Sequence, residues 1–328
     1  MTAKIGIPRS LLFYNYYPLW KTFFEEIGAE VIASGPTTKT ILQDGLKLSV
    51  DEACLPVKVA FGHVEHLRNR VDYIFIPRLV SISPREYICP KFLGFPDMVR
   101  QCIPGLPGII DTNINVYRRE RDLYKQFREI GKNVCNNPVK ITIAYLKAKK
   151  AMHEFKERVE AGTLPDQAFI NSRQSAGPEK RTDITIALIG HPYNIYDSFI
   201  NIQLVKRLEE AGARVLTADT VPEDIVNKYA ATLSKKLFWT LGRRMIGAAY
   251  HFIENPEIKG IIHVASFACG PDSMTGELIE RKIRRTGSKP FLNLTLDEHT
   301  GEAGIVTRIE AFLDMVGMKD QATSTGTQ

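Results

Sequence analysis

Ile186-Ala187-Leu188-Ile189-Gly190-His191-Pro192 reads as a buried strand that stops at a proline, and Lys4-Ile5-Gly6-Ile7-Pro8 reads the same way. Each is followed by a stretch with helical apolar spacing, Phe199 to Ala211 in one case and Tyr14 to Ile27 in the other. Each of those stretches ends at a glycine, and the interval from Pro8 to Gly28 equals that from Pro192 to Gly212. A second strand follows at once, Ala29 to Ala33 and Ala213 to Leu216. The chain therefore uses one strand–helix–strand unit twice.

Outward from these units the correspondence continues. Tyr73-Ile74-Phe75-Ile76-Pro77 and Gly260-Ile261-Ile262-His263-Val264 read as third strands, each leading into a loop with a cysteine, Cys89 or Cys269. Pro96-Asp97 and Pro271-Asp272 are expected to open the next helix in each half, before fourth strands at Gly108 to Asp111 and Pro290 to Leu296. Buried strands alternating with helices predict an α/β fold of two Rossmann-like lobes with parallel sheets, residues 1–112 and 183–318. Residues 113–182 predict a helical connector and linker: Val116 to Glu160 has helical periodicity, and Ser175 to Arg181 has linker composition. Residues 319–328, with the polar run Ala322 to Gln328, are expected to be a disordered tail.

At 328 residues and 44% apolar composition the chain can bury the cores of two ordinary domains. The net charge of +6, from 43 basic and 37 acidic residues, is mixed along the sequence and argues against nucleic acid as a partner. Pro8, Arg9 and Asn15 break the first apolar stretch with no small-residue cleavage site after it, so export is not expected. No apolar run reaches the roughly 18 residues that span a bilayer, and a cytoplasmic protein is expected. In such a compartment five cysteines, an odd number, are inert, catalytic or metal ligands rather than disulfides.

In parallel α/β sheets ligands gather where strands run into helix starts, and Cys89 and Cys269 stand at that edge. Cys54 precedes Val57 to Leu67, which has helical spacing. All three have a proline within two residues on their C-terminal side, a composition suited to a helix start. There the free amide hydrogens and partial positive charge stabilise a thiolate. Placement alone leaves open the reading that each is a small buried hydrophobe. No C-x-x-C pair occurs, which excludes a ferredoxin run or zinc knuckle. Cys102 reads as structural before it reads as a fourth ligand, and Cys135 as incidental.

Five stretches then carry a resemblance. They are Gly6 to Pro18, Asp51 to Lys58, Phe75 to Arg78 with Tyr87 to Lys91, Ser266 to Asp272, and Leu296 to Gly304. Together they resemble the acyl-CoA dehydratase activase-related proteins, relatives of the 2-hydroxyacyl-CoA dehydratase subunits. The resemblance implies two α/β lobes and a 4Fe-4S-type cluster, with a larger assembly left open, held in the inter-lobe cleft by Cys54, Cys89 and Cys269. It also implies an ATP-hydrolysing activator of actin-like fold that reduces the cluster, which passes one electron to an acyl-CoA thioester. The chain carries no G-x-x-x-x-G-K-[ST] loop, so that activator is expected to be a separate protein. A homodimer is expected, because the related subunits pair. The competing reading is a cluster-free, two-lobed module that binds an acyl-CoA-like small molecule.

Among other residues, His191, Arg9, Arg78 and Lys91 lie beside strand ends and are candidates to surround a cluster or contact substrate, as against core histidine and ordinary surface charge. His63 and His66 share a helix face, and read as a solvated or hydrogen-bonded pair before a metal site. Tyr14, Tyr16, Tyr17 and Trp20 read as packing rather than a stacking platform. Asp297, Glu298 and His299 could serve acid–base chemistry or cap the last helix.

Overall fold

The computed structural model describes residues 2–169, 184–287 and 289–325. Two compact units result, each considered by itself: one is residues 1–159, 165–169 and 238–240, the other residues 160–164, 170–237 and 241–328. The linker read at Ser175 to Arg181 lies outside the described residues.

In the first unit the order is β1 (Lys4–Ile7), α1 (Phe13–Ile27), β2 (Glu30–Ala33), α2 (Lys39–Leu48), α3 (Leu55–Leu67), β3 (Tyr73–Phe75), β4 (Arg78–Ser81), α4 (Pro90–Cys102), β5 (Gly108–Ile110) and β6 (Asn113–Asn115). Helices α5 (Asp122–Lys132), α6 (Pro138–Glu160) and α7 (Pro165–Ala168) follow. The main sheet has the order β2-β1-β3-β5, all neighbours parallel. Strands β4 and β6 form a small parallel pair of their own, where a loop and the start of the helical connector are expected. The core is aromatic: Trp20 stacks on Phe127 at 4.7 Å and touches Phe75 at 4.6 Å. The aromatic run of α1 is thus packing, as expected. Trp239, in the returning segment 238–240, bridges to Tyr87.

The second unit runs β7 (Ile184–Gly190), α8 (Pro192–Ile195), α9 (Leu204–Glu210), β8 (Ala213–Thr217), a 3-10 turn at Ala218–Thr220, α10 (Glu223–Ala230), α11 (Thr240–Glu254), β9 (Ile258–Ser266), α12 (Gly270–Thr286), β10 (Phe291–Leu296) and α13 (Glu302–Thr325). Its parallel sheet has the order β8-β7-β9-β10, the same connectivity as the first. The predicted α/β class with two Rossmann-like lobes is what forms. A side chain added at Gly260 would meet Phe312 and Val316 of α13, and His263 faces Gly276 of α12. Residues three apart on a strand point to opposite faces, so α13 and α12 cover the two faces of β9.

The glycines that punctuate the repeat do so for one backbone reason. Gly28 and Gly212 take φ of 99° and 85°, the left-handed conformation that ends a helix and turns the chain into the next strand. Three local expectations change. The helix expected over Phe199 to Ala211 is broken, because Asn201 Nδ2 donates to the carbonyls of Asn194 and Ile195 at 3.1 and 2.7 Å, while Ile202 and Gln203 turn to positive φ. Asparagine side chains compete with helical backbone bonds in this way. Pro271-Asp272 opens a helix as expected, but Pro96 lies inside α4, which starts at Pro90 right after Cys89. Helix α13 also continues into the tail read as disordered, of which residues 326–328 lie outside the described residues.

Candidate functional site

Cys54, Cys89 and Cys269 are each the residue immediately before a helix, at the starts of α3, α4 and α12. Each helix has proline at its first or second position, Pro56, Pro90 and Pro271. Proline there costs no hydrogen bond and fixes φ for the first turn. The backbone of the cysteines is extended to suit, with ψ of 152°, 133° and 103°. The cysteine carbonyls close the first turns, accepting from Val57, Phe92 and Ser273 at 2.9, 3.0 and 3.1 Å. Among the described residues no cysteine is in a disulfide. Each thiol thus stands at the positive end of a helix, where the thiolate form is favoured. Cys102 ends α4, and the Cys135 sulfur accepts from the Asn137 amide at 3.4 Å, a local turn contact.

Within the second unit, Cys269 has polar company. His191 precedes α8 at the end of β7, and its Nε2 faces Asp272 Oδ1 at 3.5 Å. One donor atom from each of His191, Cys269 and Asp272 lies within 4.8 Å of the others, and all three residues are buried. The other oxygen of Asp272 is held by the Ser266 amide at 3.0 Å and by Asn194 Nδ2 at 3.3 Å, and Ser266 Oγ donates to Asn194 Oδ1 at 2.7 Å. Among the described residues Asp272 Oδ1 and His191 Nδ1 have no hydrogen-bond partner. His263, on β9, bonds Asn293 at 3.0 Å, and burial lowers its pKa, which keeps it neutral. Sequence reasoning singled out His191 and Cys269. The sequence shows Asp272 in the first turn after Cys269 but reads it only as a helix opener, and it gives no sign of Asn194.

In the first unit Arg9 follows β1. Its amide donates to Ser34 Oγ at 2.7 Å and its guanidinium lies 5.8 and 5.9 Å from the Phe13 and Tyr14 ring centres. Arg78 is gripped by Asp97 and by Asp111, whose Oδ2 accepts from Nε at 3.0 Å; these hydrogen bonds raise the arginine pKa further and hold Asp97 below its ordinary value. Lys91 is half-buried in the first turn of α4. His63 sits between Ser34 Oγ and Thr37 Oγ1, 2.9 Å from each, so neither ring nitrogen is left for a metal. Burial lowers its pKa to about 3. Asp297 accepts from the His299 amide and Thr300 hydroxyl at 2.8 and 2.9 Å, a turn that precedes α13.

Residues 4–221 match a family described as the CoA enzyme activase uncharacterised domain. The match covers Cys54, Cys89 and His191 and stops before Cys269. No curated protein sequence matches the chain. Among the described residues no helix is long and apolar enough to cross a membrane.

Proposed function

The chain belongs to the CoA enzyme activase uncharacterised domain family, as its resemblance to acyl-CoA dehydratase activase-related proteins indicated, and from that premise we propose that it is an iron–sulfur redox protein. In this reading Cys54, Cys89 and Cys269 are the ligands of a 4Fe-4S-type cluster. The observation that supports it is the shared construction of the three positions: cysteine, then proline at the first or second residue of a helix. The cluster supplies low-potential one-electron chemistry when bound. The chain's own part is to hold the three sulfurs as thiolates at helix starts, where amide hydrogens and the helix dipole favour the charged form. Three thiolates also leave a coordination position for water, substrate or a donor other than sulfur.

Electrons come from a separate ATP-hydrolysing activator of actin-like fold and are passed on, or delivered to a bound acyl-CoA-type substrate. The working form is a cytoplasmic homodimer. Arg9 follows the C-terminal end of β1 and Lys91 lies two residues after Cys89, and they serve the anionic groups of the cluster or substrate; Arg78 is already committed to Asp97 and Asp111.

Anaerobic purification and reconstitution, with iron and acid-labile sulfide measured, tests the reading. The expected result is about four irons and four sulfides per chain with a broad visible charge-transfer absorption. Cys54→Ser, Cys89→Ser and Cys269→Ser should each lower iron to background, whereas Cys102→Ser and Cys135→Ser should leave it unchanged. A colourless, iron-free protein after reconstitution would overturn the cluster and leave the small-molecule binding module.

A further inference from the structure

We propose that His191, Cys269 and Asp272 form a single-ion site for a divalent transition metal of the zinc class, built entirely within the second unit. The three donors, a thiolate, an imidazole and a carboxylate, are the ligand types that zinc takes. Two donors about 2.0 Å from one tetrahedral ion stand about 3.3 Å apart, and His191 Nε2 and Asp272 Oδ1 stand 3.5 Å apart without a hydrogen bond between them. The three residues expose 3%, 8% and 0% of their surfaces in the order named, and an ion satisfies the Asp272 oxygen that otherwise has no partner.

The surrounding contacts are those of a metal site. Asn194 and the Ser266 amide fix the remote oxygen of Asp272, and so aim the near one. Ala268, immediately before Cys269, is held at a φ of 61°, a strained conformation for a residue with a side chain, in the segment that positions the sulfur. Phe267, Ala268 and Gly270 are exposed, which gives an ion a way in from solvent. With three protein donors the fourth position is open, as in zinc sites that bind water or substrate. Among the described residues the first half of the repeat shows no such group: the residues at corresponding places are Ile7, which matches His191, and Phe92, three after Cys89, both buried.

This inference goes beyond the cluster reading and shares with it only one cluster ligand, Cys269. One ion and a cluster therefore exclude one another at that thiolate. Cobalt(II), a spectroscopic stand-in for zinc, separates the two ideas in the full-length Cys54→Ser/Cys89→Ser variant, which lacks the other two proposed cluster ligands. The expected result is one cobalt per chain, with a near-ultraviolet thiolate-to-cobalt band and intense visible bands of a four-coordinate ion, displaced by equimolar zinc. In that background His191→Ala and Asp272→Asn should weaken cobalt binding at least 100-fold and Asn194→Ala about tenfold, with far-ultraviolet circular dichroism unchanged. Zinc-loaded wild-type protein should in turn refuse cluster reconstitution until zinc is chelated. Absence of the cobalt bands, or binding unaffected by Asp272→Asn in folded protein, overturns the site. Iron-free wild-type protein that still gives the cobalt bands sinks the cluster and spares the ion.

Discussion

His63 is buried between two hydroxyls. Ser34 Oγ, which accepts from the Arg9 amide, shares a hydrogen bond with His63 Nδ1, and Thr37 Oγ1 shares one with Nε2. A ring held neutral, with its pKa lowered from 6.5 to about 3, binds its proton in the unfolded chain first. Its contribution is therefore complete above pH 6.5 and is lost as pH falls through the window down to about 3, by about 2 kcal/mol at pH 5. Urea midpoints at pH 7.5 and pH 5 should differ less in His63→Gln than in wild type; equal differences would mean the ring is protonated in the fold. Little of this was legible beforehand. The spacing of His63 and His66 shows a shared helix face, but the hydroxyls that occupy His63 come from 26 and 29 positions away. Asp272 is similar, because two of its partners, His191 and Asn194, come from the start of α8 far back in the sequence, whereas Cys54, Cys89 and Cys269 announced their helix starts through prolines beside them in sequence.

Helices α2 and α3 cross at a pair of glycines. A Cβ at Gly62 would lie 1.8 Å from the Ile41 carbonyl oxygen, and one at Gly45 would lie 2.0 Å from that of Lys58. Both contacts are with backbone, which cannot rotate away, so Gly62→Ala and Gly45→Ala must push the helices apart. Each should cost about 3 kcal/mol or more, read as a fall in the melting temperature. Because Cys54 begins α3, Gly62→Ala should also lower iron retention after reconstitution if the helix start is displaced. At this scale the sequence was legible wherever apolar runs were long, as in β7, β9 and β10, or a glycine closed a periodic stretch, as at Gly28. It was not legible for β4 and β6, three or four residues long and carrying Arg78, Ser81, Asn113 and Asn115, whose pairing is with each other. The break between α8 and α9 was hidden because apolar periodicity persists where Asn201 replaces backbone bonding.

The two sheets share one strand order, so the repeat inferred from Pro8–Gly28 and Pro192–Gly212 is a repeat of topology as well as spacing. The halves then differ in chemistry at matched places, apolar at Ile7 and Phe92 and polar at His191 and Asp272. An ion bound only by the native second unit stabilises it by about 2.7 kcal/mol at a hundredfold excess over the dissociation constant. That stabilisation can be assigned to its unit by light alone. The chain has two tryptophans, and both Trp20 and Trp239 belong to the first unit. Intrinsic indole emission thus reports the first unit, while peptide circular dichroism reports both. Zinc should raise the midpoint seen by peptide ellipticity more than that seen by indole emission, and equal shifts would show that the units melt as one. The second unit holds neither tryptophan and is silent in the indole window, so a single tryptophan placed there would give each unit its own signal.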